Sequence, residues 1–203
     1  MKIKQNLTTV LSRLGETELT EKLSQKALIR GVSFKINAEK KPFEELLTAS
    51  YSIAVKNLSL GFKTAILDTE TKSNISQIAD YFTNPQKRWI GLLGNWGNGK
   101  TTMFHALNIA IKFMLDNGLS RMSEIPIYSS FELSNTENAC YKKALNCYAL
   151  CIDDLGKEPT EACFTTPTIN VLTERYRKAL FTCFTSNMKP DQFRPKHGST
   201  VAS

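Results

Sequence analysis

Apolar residues recur at two different periods along the chain, and the change of period divides it. Leu7, Val10, Leu11 and Leu14 follow helical spacing up to Gly15, and Leu19, Leu23, Ala27 and Leu28 do the same up to Gly31. Pro42 suits a first helical turn, and Phe43, Leu46, Leu47, Tyr51, Ala54, Val55 and Leu58 then form the clearest amphipathic face in the sequence. Ile75, Ile78, Ala79 and Phe82 predict one more helix. Beyond them the apolar runs shorten to strand length, at 89–93, 125–131, 148–152 and 180–185. Helical stretches separate these runs: Met103 to Met114, closed by Asn117-Gly118, then 136–146 and 168–179. Such alternation predicts an α/β fold, a mostly parallel sheet sandwiched by helices with ligands beyond the carboxyl ends of its strands. A smaller helical N-terminal region precedes it. The expected division is 1–65 and 66–203, with the link inside 61–73.

Length and composition fit this picture. At 203 residues, 41% hydrophobic and 22% charged, the chain suffices for one α/β core with a small added unit. Its apolar runs stop short of membrane-spanning length, and MKIKQNLTTVLSRLGE lacks the apolar centre of a signal peptide, so a cytoplasmic protein with no membrane contact is expected. The five cysteines form no C-x-x-C pair, and Cys151 and Cys183 fall in expected core strands, where they read as small buried hydrophobes. The net charge of +7 is mostly N-terminal: residues 1–90 carry 14 Lys and Arg against 9 Asp and Glu, and the remainder 12 against 10. A basic extension suits nucleic acid or an acidic protein surface, and interspersed charges equally suit a solvated helix face.

Candidate chemistry starts at the end of the first strand-length run, in IGLLGNWGNGKTTMF. Gly94, Gly97 and Gly99 let the main chain turn its N–H groups onto an anion, and Lys100 and Thr101 fall where a helix begins. The spacing is G-x-x-x-x-G-K-[ST]. In that arrangement the backbone of Gly94, Asn95, Gly97, Asn98 and Gly99 cradles phosphates, with Lys100 on the β/γ-phosphates, Thr101 on Mg²⁺ and Thr102 beside it. A strand before and a helix after supply the context that the motif requires. Trp96 occupies a permissive position in the loop, and His105, with no second ligand near it in sequence, reads as a packed or surface residue.

The third strand-length run delivers Asp153-Asp154 at its carboxyl end. Two adjacent charges need partners, and phosphate chemistry offers them: Asp153 can hold Mg²⁺, while Asp154 can orient or deprotonate the water that attacks a γ-phosphate. A solvated strand end before the turn Leu155-Gly156 is the plain alternative. The fourth run ends in Thr185-Ser186-Asn187, where the amide could meet the γ-phosphate or cap a turn.

GLLGNWGNGKTT, YALCIDDLGKEP and NVLTERYRKALFTCFTSNMKPDQF, in this order, resemble the DnaC-like helicase loaders and IstB-like transposition helpers among the AAA+ P-loop ATPases, over roughly residues 70–203. The resemblance implies an ATP-binding protein using Mg²⁺, with Lys100 and Thr101 in Walker A, Asp153 and Asp154 in Walker B, and Asn187 as sensor 1. It implies ATPase activity, ATP-dependent self-association, single-stranded DNA as a ligand, and a replicative helicase or a transposase gripped by the N-terminal region. A nucleotide-gated binding module with negligible hydrolysis is the further reading. Arg175 lies in ERYRK, a stretch that in this family runs near the subunit boundary. Asp154 stands where AAA+ proteins commonly have Glu. After KHGSTVAS the chain stops before the family's arginine finger and sensor 2, so the C-terminal part of the module is expected to be missing and hydrolysis weak.

Overall fold

The structure is a computed structural model that describes residues 34–85, 87, 89–120, 122–157 and 166–189. The two helices expected before Gly31 and the KHGSTVAS end lie outside the described residues. The elements are α1 (Lys40–Leu58), α2 (Thr69–Thr83), β1 (Trp89–Leu93), α3 (Lys100–Asp116), β2 (Ile127–Ser129), α4 (Ser130–Leu133), α5 (Ala139–Ala144), β3 (Ala149–Asp153), α6 (Pro167–Arg177) and β4 (Phe181–Ser186). All pairings in the sheet are parallel, and the strand order is β1-β4-β3-β2. The chain leaves β1 for the far edge and returns strand by strand until β4 lies beside β1. This return brings the carboxyl ends of β1, β4 and β3 side by side, with Leu93 opposite Ser186 and Ile152 opposite Phe184.

Side-chain alternation along the strands builds two cores. Cys151 and Cys183 face one side and join Leu107, Ala110 and Ile111 of α3. Leu150, Ile152 and Phe184 face the other, with Leu133, Val171 and Leu172. Cys151 and Cys183 are thus buried hydrophobes, as expected, whereas Cys140 and Cys147 are half-buried.

The structure corrects the sequence reading in three places. The run at 125–131 yields only a three-residue strand, because Ser129 and Glu132 form a capping box that starts α4: the Ser129 hydroxyl accepts the Glu132 N–H, and the Glu132 carboxylate accepts the Ser129 N–H at 2.7 Å. β1, an apolar run that would suit a buried parallel strand, is instead a sheet edge with half-exposed side chains. Finally, Phe43, Leu47, Tyr51 and Ala54 of α1 share one buried cluster with α2 and α3. A boundary at residue 65 would therefore cut through the core, since the amphipathic face assigned to the N-terminal region is spent on the phosphate-loop helix.

Candidate nucleotide site

The glycine-rich loop links β1 to α3 and starts by donating the Gly94 N–H to the Ser186 carbonyl at 3.2 Å, which ties it to β4. Gly99 caps α3 with φ of 71°, and the space its missing side chain leaves is filled by the Tyr51 hydroxyl of α1. Lys100 then projects from the first turn of α3 and donates to Gly94 O at 2.9 Å, Asn95 O at 2.7 Å and Asn187 Oδ1 at 2.9 Å. All three acceptors are neutral. Burial lowers the ammonium's pKa, against the opposing pull of Asp154 and Asp153. A cation held only by neutral oxygens at a helix N-terminus fits a phosphate, which supplies the missing charge.

The two acids diverge as their backbone positions dictate. Asp153 Oδ1 accepts the Thr101 hydroxyl at 2.9 Å and the Thr185 hydroxyl at 2.5 Å. Thr185 in turn accepts the Asp154 N–H at 2.8 Å, so one buried hydroxyl fixes both acids. Asp154 adopts a left-handed conformation, φ 57°, which turns its side chain away from Thr101. Its Oδ1 accepts from Asn187 Nδ2 at 3.3 Å and its Oδ2 from Lys157 at 2.5 Å. Thr101 with Asp153 fits Mg²⁺, a hydroxyl and one carboxylate being the usual protein share when phosphates and waters complete the octahedron. Among the described residues no cluster of three or more His, Cys, Asp or Glu offers a metal cage.

Lys100, Thr101, Asp153, Asp154 and Asn187 thus converge on one end of the sheet. Gly97, Asn98, Gly99 and Thr102 line an open cavity of about 680 Å³ beside the loop, together with Tyr51, Phe62, Ile66 and Asp68. Its size suits a nucleoside. Sequence reasoning missed Tyr51, which sits on the amphipathic face of α1 and reads there as core, and missed Phe62 and Ile66, whose loop carries no periodic signal. It missed Lys157 as well. His105 and Trp96 stand as expected at half-buried and exposed positions, and the Lys157 ammonium lies over the Trp96 ring, 3.4 Å from its centroid.

Arg175 is not at a boundary. It is fully buried, and its guanidinium donates to Thr182 Oγ1 at 2.9 Å, to the Ala144 and Cys147 carbonyls at 2.7 and 2.8 Å, and to the Phe181 carbonyl. Two of these acceptors lie at or just beyond the C-terminus of α5, the negative end of a helix. Desolvation lowers the guanidinium's pKa, and this fork of acceptors offsets the loss of water. The arginine cross-braces α5, α6 and β4. Arg177, exposed, pairs with Glu174 at 2.9 Å.

No protein-family model and no curated protein matches the chain. Solved structures do. The DnaC helicase loader superposes with a TM-score of 0.50 at 18% identity, covering 68% of this chain and 86% of that one. The chain shares the fold of that protein, a parallel sheet packed between helices. DnaI matches with a TM-score of 0.48 at 21% identity over 68% of this chain and 80% of its own. AMPPCP-bound DnaA from Aquifex aeolicus gives 0.45 at 17% over 68% and 45%. Within this fold the strand order carries the loop, the acids and Asn187 on three adjacent strand ends. Among the described residues no helix is long and apolar enough to cross a membrane.

Proposed function

We propose that the chain binds MgATP and acts as an ATP-dependent assembly factor on a replicative helicase at single-stranded DNA. The observation that carries the nucleotide reading is the continuous network from Thr101 and Asp153 through Thr185, Asp154 and Asn187 to Lys100, gathered on three neighbouring strand ends. The adenosine would occupy the cavity beside Tyr51, and the triphosphate would run along the loop to Lys100. Thr101 and Asp153 would hold Mg²⁺, which neutralises charge on the phosphate oxygens when bound. Asp154 and Asn187 would orient the attacking water between them, with Asp154 accepting its proton as the bond to ADP breaks. The helicase and DNA parts of the reading rest on the motif resemblance and on the shared fold of the DnaC helicase loader. The N-terminal residues, rich in lysine, would grip the partner, and ATP would promote self-association.

Lys100→Ala tests the nucleotide reading. Removal of the cation should weaken ATP binding at least about 100-fold, given that charge-assisted bonds to a phosphate cluster are among the strongest a side chain makes. Titration with a fluorescent ATP analogue measures it, and wild-type affinity in the variant would overturn the phosphate-loop assignment. Co-purification of a replicative helicase with the full chain, lost in a variant lacking residues 1–32, tests the partner.

A further inference from the structure

Lys157 lies one tight turn beyond the acids, and its position is built rather than incidental. The Lys157 N–H donates to the Asp154 carbonyl at 3.1 Å, closing the turn. Gly156 holds φ of 103°, and a Cβ there would meet Met188 Sδ at 2.5 Å, so the turn admits glycine alone. The turn is also anchored from outside. Ser130 donates its hydroxyl to the Asp154 carbonyl at 2.8 Å, the Leu155 N–H donates to the Thr185 carbonyl at 2.8 Å, and Ser186 donates to the Leu155 carbonyl at 2.6 Å, while the Leu155 side chain is buried. From this fixed root the Lys157 side chain folds back over the site, where its ammonium meets Asp154 Oδ2 at 2.5 Å and the face of Trp96. Trp96 belongs to the phosphate loop itself and is 73% exposed. A second cation therefore bridges loop and acid, and it stands near enough to Lys100 to lower that group's pKa.

We propose that Lys157 is a γ-phosphate-binding cation supplied in cis, parked on Asp154 and Trp96 until a triphosphate arrives. The proposal deepens the nucleotide reading above and rests on it. Lys100 bonds Asn187, Lys157 bonds Asp154, and Asn187 and Asp154 bond each other, so two like-charged ammonium groups flank one pair of side chains, an arrangement that an anion between them relieves. Asp154 alone would repel a γ-phosphate, and Lys157 at its carboxylate offsets that repulsion. A diphosphate, one phosphoryl group shorter, would end short of Lys157. Lys157 thus acts on the distinction between ATP and ADP, and the Trp96 ring, whose face it covers, reports its movement.

The test uses the full chain with Trp89→Phe, leaving Trp96 as the single indole. Affinities for MgATP and MgADP are measured alongside Trp96 emission. Lys157→Met should reduce the preference for ATP over ADP about 10-fold by weakening ATP alone, and it should abolish any emission change specific to ATP. Lys157→Arg, which keeps the charge, should restore most of the preference. An unchanged ATP-to-ADP ratio in Lys157→Met, with ATP still bound tightly, overturns the role of Lys157 and leaves the nucleotide site standing. Failure of the parent chain to bind either nucleotide overturns both readings.

Discussion

Asp154 holds a backbone conformation that L residues other than Asn and Asp seldom adopt, at a cost of order 1 kcal/mol, and its neighbours fix it there through the Thr185 and Ser130 hydroxyls. Such strain is sustained only where surroundings enforce it, and here it aims the carboxylate at Asn187 and away from Asp153. Asp154→Asn keeps the shape and loses the proton acceptor, so MgATP affinity should stay within about threefold while turnover falls roughly 100-fold or more. Single-turnover hydrolysis beside an equilibrium titration separates the two effects, and loss of binding with intact turnover would exchange the roles of the acids. Thr185→Val should act differently. It leaves the Asp154 N–H without its acceptor and Asp153 without one donor, costing about 1–3 kcal/mol in urea unfolding and raising the Mg²⁺ concentration needed for tight binding. Lys100 carries the pH dependence. Its pKa is lowered by burial, so it loses its proton earlier than a solvated lysine as pH rises, and ATP affinity should decline on the alkaline side below the ordinary lysine value of 10.5. Bound phosphate favours the charged form, so the decline should be shallower in the complex than in the free chain, as titrations across that pH range will show.

Helices and strands were legible in the sequence wherever one face alone decides them. The run at Trp89–Leu93 and the helix from Lys100 to Asp116 stand where apolar spacing and the Asn117-Gly118 break place them. The strand before Asp153 was readable too, because a charged terminus buried along with its apolar run would lack partners, whereas the polar end of β4 stays buried, its Thr185 and Ser186 hydroxyls bonded to Asp153 and the Leu155 carbonyl. Legibility fails where the decisive partner is distant in sequence. Ser129 reads as a strand residue until Glu132 caps a helix on it, and Arg175 reads only as part of the ERYRK stretch until the carbonyls at the end of α5 surround it. The fate of α1 had the same cause, since an amphipathic face announces that it will be covered and not by what. Deletion of residues 1–65 should therefore unfold the core by removing Phe43 and Leu47, each worth several kcal/mol when truncated, whereas deletion of 1–32 should leave the thermal midpoint and ATP binding close to wild type. Circular dichroism of both truncations checks it, and a stable, ATP-binding 66–203 fragment would show that α1 is dispensable. Arg175→Met should cost about 2–4 kcal/mol by orphaning several buried acceptors, without changing how ATP is preferred over ADP in the protein that remains folded.

At the scale of the molecule, all the proposed chemistry lies at one end of a four-stranded sheet, and the charges gathered there come from within one chain. Lys100 and Lys157 are both bonded into the network of Asp154 and Asn187, while Arg175 is consumed in packing and Arg177 turns outward to Glu174. A transition state that spreads charge over the γ-phosphate oxygens would meet these two cations and Mg²⁺ whether or not a second copy is near. Assembly and hydrolysis should then be separable. Sedimentation should show heavier species with MgATP than with MgADP, because a site that distinguishes the two nucleotides can bias association through its neighbouring loop. Turnover per chain should stay slow and nearly constant across the same concentrations, and single-stranded DNA should add little. The decisive measurement is a rate per chain recorded from well below to well above the concentration at which the heavier species form. A flat profile places the essential cations in cis, as Lys100 and Lys157 require. A steep rise that follows association would show instead that a neighbouring copy supplies a further cation, and Lys157→Met would then lower the plateau far less than a trans contribution raises it.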